Sequence, residues 1–320
     1  MTTTGPEIVR VQAPTERRNP RTLRIDTLPT LQVLELLNDE DARVAPAVRA
    51  ALPALARAVD AAVERYERGG TIHYFGAGTS GRMATLDAAE LPPTFSADPL
   101  RTVAHHAGGA FAISQALENI EDDPAVGREA AADVTAADVA VGIAASGRTP
   151  YVVGALQAAS EAGAFTVLVS SAPHGPAAEL VDVHVFVDTG PEAIAGSTRL
   201  KAGTAQKLVL NGFSTALMIR LGKTYSNLMV DVSRHNAKLR GRVLVILEEA
   251  TGAPADDCAR ALAATGGDVK PAILCLLAGV EPVAARTALD QSGGRVREAL
   301  AALGIASPPD PAVSPEVPME

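Results

Sequence analysis

An apolar run, Thr71-Ile72-His73-Tyr74-Phe75, leads straight into Gly76-Ala77-Gly78-Thr79-Ser80-Gly81-Arg82, and a helical pattern follows as far as Leu91, before Pro92-Pro93. Strand, glycine turn and helix in that order point to an α/β sheet with helices crossing between parallel strands. The junction also makes an anion site, because a helix N-terminus offers unpaired N–H groups and roughly +0.5 of a charge. The alternation continues downstream. Strands are predicted over 71–75, 101–105, 139–144, 165–170 and 183–187, with helices over 80–91, 111–120, 124–132, 150–162 and 175–181.

Ahead of this core, residues 1–26 are polar and carry Pro6, Pro14 and Pro20, which predicts an extended arm. A short helix is expected over 28–37, and Asn38-Asp39-Glu40-Asp41 reads as a polar break or as the acidic first turn of the next helix. That next helix is long. Val44, Val48, Leu52, Leu55, Val59, Val63 and Tyr66 keep the three-to-four residue step of one buried face. Pro53 implies a kink or break in it, and Gly69-Gly70 ends it. Beyond the sheet, 199–221 is a strongly apolar helix, 234–303 is helical throughout, and 306–320 is Pro-rich, acidic and expected to be disordered. The expected organisation is therefore an arm and short helix over 1–40, an α/β domain over 41–233, a helical domain over 234–305 and a tail over 306–320.

Composition narrows the function classes. A formal charge of −9 argues against a nucleic-acid or anionic-membrane surface. The best apolar run, 272–280, falls well short of the ~20 residues that span a bilayer. Residues 1–10 lack the apolar stretch of a signal peptide, so a cytoplasmic protein is expected. Cys258 and Cys275 have no metal-ligand spacing and read as small buried apolar residues in a reducing compartment.

Gly76-x-Gly78-x-x-Gly81 matches the dinucleotide fingerprint letter for letter, but that fingerprint also needs an acid at the end of the second strand. Here that strand ends Ala104-His105-His106-Ala107-Gly108-Gly109, and Asp98 comes before it. Thr79 and Ser80 supply hydroxyl donors instead, which suit a phosphate monoester. Ser146-Gly147-Arg148-Thr149 echoes Ser80-Gly81-Arg82, again between a strand and a helix. In a parallel sheet both loops lie at the carboxyl edge, where ligands bind.

Ser197-Thr198-Arg199-Leu200-Lys201 opens the long apolar helix. Ser197 or Thr198 as a plain N-cap is one reading. Arg199 and Lys201 would oppose the helix dipole there, a conflict that a bound anion would remove. Glu90 poses the opposite conflict, a carboxylate in the expected last turn. It reads either as a solvated surface acid or as a carboxyl kept protonated for use as an acid. Glu121 starts Glu121-Asp122-Asp123-Pro124, most of which Asp123 as N-cap and Pro124 at the first helical position explain. Strand neighbours face opposite ways, so His105 and His106 cannot act as one unit; with His73 they read as core or surface groups.

These stretches resemble the N-acetylmuramic acid 6-phosphate etherases, a branch of the sugar isomerase (SIS) superfamily. The likeness is carried by Thr15-Glu16-x-x-Asn19-Pro20, Asn38-Asp39-Glu40-Asp41, 76–82, Leu86-Asp87-Ala88-x-Glu90-x-Pro92-Pro93-Thr94, 141–151, 196–207 and 227–232. It implies one SIS domain with a parallel sheet flanked by helices, a small helical C-terminal domain similar to ubiquitin-associated folds, and an active homodimer. It implies cleavage of the lactyl ether of N-acetylmuramate 6-phosphate to N-acetylglucosamine 6-phosphate and D-lactate, without metal or nucleotide cofactor. The family's proton donor falls on Glu90 and its second active-site glutamate on Glu121, although Ala110 stands where the family often has an acid. Gly78, Thr79, Ser80, Ser146, Gly147, Arg148, Thr149, Ser197 and Lys201 are the expected substrate-binding residues. Two rival readings remain at this point: a SIS-type phosphosugar-binding regulator without turnover, and an aldose–ketose isomerase.

Overall fold

A computed structural model describes residues 13–115, 120–231 and 237–305. The start of the arm, residues 116–119 and the 306–320 tail lie outside the described residues; the helix expected over 111–120 ends at Ser114, with Gln115 already extended. Two helices, α1 (Thr30–Asp41) and α2 (Val44–Glu67), precede the first strand. The sheet then builds by alternation: β1 (Ile72–Gly76), α3 (Gly78–Phe95), β2 (Thr102–His106), α4 (Phe111–Ser114), α5 (Pro124–Ala130), β3 (Val139–Ile143), α6 (Pro150–Glu161), β4 (Phe165–Ser170) and β5 (Val183–Phe186). The long helix α7 (Lys201–Arg220) follows.

All five strands are parallel, in the order β2-β1-β3-β4-β5. Every residue of β1 and β3 is buried, as parallel strands covered on both faces must be, whereas the edge strands β2 and β5 are only partly covered. Alternation along β1 sends consecutive aromatics to opposite faces. Phe75 joins Ala140, Val152, Leu156 and Leu168 on the α6 side, while Tyr74 meets Phe213 of α7 edge to face at 6.3 Å. Helices α5 and α6 touch backbone to backbone. A Cβ on Gly127 would stand 1.9 Å from the Tyr151 carbonyl oxygen, and one on Gly154 2.0 Å from that of Pro124.

The chain divides into two compact units between Leu217 and Met218, with Pro92–Ala97 counted in the second. That second unit has a small hairpin, β6 (Thr224–Tyr225) with β7 (Leu228–Met229), and five helices: α8 (Ala237–Thr251), α9 (Ala255–Ala264), α10 (Val269–Ala278), α11 (Pro282–Gln291) and α12 (Val296–Ala302). Val243, Leu247, Ile273, Leu274, Leu289 and Leu300 form its core. Cys258 is buried and Cys275 half-buried; both are free thiols, pushed up in pKa by burial. Among the described residues no single helix is long and apolar enough to cross a membrane.

Several local expectations are corrected. Helix α2 runs unbroken through Pro53, and α3 runs past Pro92 and Pro93 to Phe95. Proline keeps a helical φ but lacks the N–H and crowds the carbonyl four residues back, so in α3 the Ala88 and Ala89 carbonyls receive no bond from Pro92 and Pro93. Residues 175–181 make only a single 3-10 turn, Pro176–Glu179. The described part of the arm is not extended: it forms 3-10 turns at Pro14–Glu16 and Ile25–Thr27 and buries Thr15, Asn19 and Thr22. Three hydrogen bonds tie it to the backbone of 191–196. The Thr22 hydroxyl donates to Ala193 O at 2.7 Å, the Asn19 amide to Pro191 O at 3.3 Å, and Gly196 N–H to Thr15 O at 3.0 Å.

Residues 38–41 are neither a break nor a first turn but the last turn of α1. Glu40 there is only 2% exposed. Its carboxylate accepts from Lys201 Nζ at 2.6 Å, Asn19 Nδ2 at 2.9 Å and both Nη2 (2.9 Å) and Nε of Arg21. The Arg21 hydrogen bonds first, then Lys201 and Asn19, hold its pKa at about 2 against the opposing effect of burial. A depressed carboxylate stabilises the fold fully above its unfolded value near 4.5 and loses that contribution as pH falls through about 2. Glu40→Gln should therefore lower the melting temperature at pH 7, and the gap to the unaltered protein should narrow between pH 4.5 and pH 2. A gap that stays constant over that range would contradict the charged network.

Candidate active site

Strand order reverses between β1 and β3: β2 lies beyond β1, and β4 and β5 lie beyond β3. In open α/β sheets, ligands bind at the carboxyl ends of the strands beside such a reversal. Gly76 pairs with Ile143 at those ends, so the loops that follow, 77–81 and 144–149, emerge side by side. The two loops that echo each other in sequence are neighbours in space.

Each glycine of the first loop answers a different demand. A Cβ on Gly76 would lie 2.7 Å from Gly81 N, so the turn closes on itself there. Gly78 has φ +53, a left-handed conformation that favours glycine. A Cβ on Gly81 would lie 2.4 Å from the His106 ring. His106 sits at the end of β2 with Nδ1 2.8 Å from Ala107 O and Nε2 3.2 Å from Gly78 O, bracing the turn from behind. The third glycine therefore makes room for an imidazole, at the strand end where a dinucleotide site would carry its acid.

The second loop turns at Gly147 (φ +64), and Arg148 N–H donates to Ser146 Oγ at 3.2 Å. The two arginines of the echo differ. Arg82 is committed to the carbonyls of Ile113 (2.8 Å) and Ala112 (3.0 Å), whereas Arg148 is exposed. A third segment completes the ring of loops: a Cβ on Gly203 would stand 3.2 Å from Thr79 Cγ2, so the first turn of α7 lies against the first loop. Ser197 is half-buried just ahead of that turn. The N–H groups of Lys201 and Ala202 donate to the fully buried carboxylate of Glu192, each at 2.9 Å. Burial pushes the Glu192 pKa up, and these two bonds oppose the rise. The dipole conflict expected to call for a bound anion is thus met by Glu192, and the Lys201 ammonium, 1% exposed, is met by Glu40. Glu40 lies 161 residues from Lys201 along the chain, while Glu192 is only nine residues upstream but outside the helical pattern of α7.

The two candidate glutamates are both exposed, in different places. Glu121 lies beside the second loop, its carbonyl accepting the N–H of Tyr151 in the first turn of α6 at 3.0 Å. Glu90 lies ten residues beyond Ser80 on α3, about 15 Å along the axis at 1.5 Å per residue. One turn before it, Asp87 is 7% exposed and accepts from Tyr74 OH (3.0 Å) and Ser214 Oγ (2.9 Å), tying α3 to β1 and α7. Burial pushes the Asp87 pKa up to about 6, against those two hydrogen bonds. His73 and His105 pair across β1 and β2, Nδ1 to Nε2 at 3.0 Å. Burial holds both down in pKa, His105 to about 4, so the pair is neutral at pH 7.

Fold and loops together define a SIS-type domain. Residues 54–160 match the family model of the glucokinase regulatory protein N-terminal SIS domain. A putative phosphosugar isomerase involved in capsule formation from Bacteroides fragilis superposes with TM-score 0.50 and 19% identity, covering 66% of this chain and 100% of that one. Sequence relatives are more specific. The chain is 62% identical to an N-acetylmuramic acid 6-phosphate etherase of Thermobifida fusca, over 87% of this chain and 90% of the relative. It is 50% identical to the etherase of Pectobacterium atrosepticum, over 89% of this chain and 95% of the relative. The chain belongs to the N-acetylmuramic acid 6-phosphate etherase family.

The His106 brace is testable by stability. Gly81→Ala should cost about 1–3 kcal/mol, a drop of several degrees in melting temperature. Adding His106→Ala should recover part of the loss. An unchanged single variant would show that the ring does not fill that space.

Proposed function

We propose that this protein cleaves the D-lactyl ether of N-acetylmuramate 6-phosphate, giving N-acetylglucosamine 6-phosphate and D-lactate. The observation that carries the reading is the pairing of two hydroxyl-bearing glycine loops at the β1/β3 reversal, in a chain of this family. Gly78, Thr79 and Ser80 from one loop and Ser146, Gly147, Arg148 and Thr149 from the other grip the phosphate at the start of α3, with Ser197 closing the third side. Lys201 joins them through the turn it anchors. A phosphate held there fixes the sugar relative to the reacting groups.

In the open-chain sugar the aldehyde acidifies the proton on carbon 2, and the lactyl oxygen on carbon 3 is β to it. A base removes that proton while an acid protonates the departing lactate, leaving an unsaturated aldehyde. Water then adds at carbon 3. The electron pair of the carbon 2–hydrogen bond becomes the carbon 2–carbon 3 double bond as the carbon 3–oxygen bond breaks, so all that is needed is proton transfer, and two carboxyl groups suffice, one starting ionised and the other protonated. Glu121 is the base and Glu90 the acid, each contributing typically 10²–10⁴-fold. The protein acts in the cytoplasm, in the breakdown and recycling of cell-wall amino sugars.

The length of α3 supports a homodimer as the working unit. A sugar held at Ser80 does not reach about 15 Å along the helix to Glu90 of the same chain. In our reading the acid at each phosphate grip is the partner's Glu90.

The defining assay is D-lactate release from N-acetylmuramate 6-phosphate; in D₂O the amino sugar formed should carry deuterium on carbon 2. No lactate from the folded protein sinks the reaction. The same assay decides against the rival of sugar-phosphate binding without turnover. Subunit sharing predicts complementation. Glu90→Gln and Ser80→Ala variants, each impaired alone, should regain activity when mixed as heterodimers, because one of the two sites is then intact. No gain on mixing would place both groups in one chain.

A further inference from the structure

We infer that Glu40, steadied by Arg21 and Asn19, is a positioning group for the Ser197–Lys201 turn, and that Lys201 acts on substrate binding through Glu40 without touching phosphate. The inference rests on the reading above only in taking that turn as part of the sugar-phosphate site. Four observations converge on it. The Lys201 ammonium is buried and points at Glu40 Oε2, 2.6 Å away. The backbone N–H groups at the same residue and the next are held by Glu192. Upstream, the segment 191–196 is stapled to the arm by three hydrogen bonds, from Asn19, from Thr22 and to Thr15. Gly196 lies directly under the Glu16 carboxylate, where a Cβ would stand 2.9 Å from Oε2.

The turn is therefore clamped at both ends, and its downstream helix leans on Thr79 of the first loop. Moving it moves Ser197 relative to Thr79 and Ser80. Apart from Glu192, the clamps are supplied by residues 15–40, which lie outside the sheet-and-loop pattern that forms the grip itself. Charge makes the central link selective. Glu40 faces Lys201 and Arg21, with Arg43 4.0 Å away, so it is the anion that neutralises a cluster of cations. Removing one member of a buried pair leaves the other uncompensated, and the turn shifts to bring the stranded charge to water.

The test compares Glu40→Gln, Lys201→Met and the double variant by D-lactate release and by binding of N-acetylglucosamine 6-phosphate. Each single variant should raise KM about tenfold or more and weaken binding alike, with kcat within about threefold. The double variant should be no worse than the poorer single, because both substitutions break one link. Lys201→Arg should restore most of the affinity. Multiplicative losses in the double variant, with Lys201→Met erasing the preference for phosphorylated over plain N-acetylglucosamine, would overturn the inference and make Lys201 a direct phosphate ligand. So would folded single variants with unchanged KM. If a lone buried charge prevents a single variant from folding, the double variant removes both charges, and Arg21→Met keeps the pair while loosening its outer side. Both should still raise KM, and an unchanged KM in either overturns the inference. An unaltered protein that binds the sugar phosphate but releases no lactate would end the etherase reading alone, since the binding comparison still reports on the turn.

Discussion

The parallel pairing of β1 with β3 is the constraint on which the site depends. It brings the ends of two strands, separated by more than sixty residues of sequence, into register at Gly76 and Ile143. From that register it follows that two short loops leave the sheet together, each feeding the N-terminus of a helix. Such termini carry unpaired N–H groups and positive partial charge, which is why the pair is proposed as a cradle for one anion. Everything else that bears on the site adjusts this cradle: His106 from behind, α7 from the side, and the arm through α7.

The sheet was legible because its strands are short apolar runs bounded by glycine and polar turns, a local signal. Both loops were legible for the same reason, and the absence of an acid after β2 is what turned the reading of the glycine pattern from a dinucleotide to a phosphate monoester. The arm was not legible. Its polarity reads as exposure, yet Thr15, Asn19 and Thr22 are buried because their hydrogen-bond partners come from residues 191–196. No local rule supplies such distant partners. Glu40 was misplaced for the same reason, since an acid beside other acids looks solvated until Lys201 arrives from across the chain.

The ends of helices were the other weak point. Pro92-Pro93 reads as a stop, but the helix continues through both to Phe95. Glu90 thus sits inside α3, a turn earlier than the true terminus. Lys201 carries a complementary lesson. A cation at a helix start suggested a ligand, because the carboxylate that neutralises it, Glu40, lies 161 residues away and is invisible in the local sequence.

The Glu40–Lys201 pair also orders events during synthesis. Its members are 161 residues apart, with Glu40 made first. At the usual 5–20 residues per second, Glu40 waits roughly 8–30 s for its partner. The segments stapled by the arm, 191–196, also emerge only after β5. Docking of the arm therefore waits on the last-made part of the first unit, and the third wall of the proposed cradle can take shape only after all five strands have been synthesised.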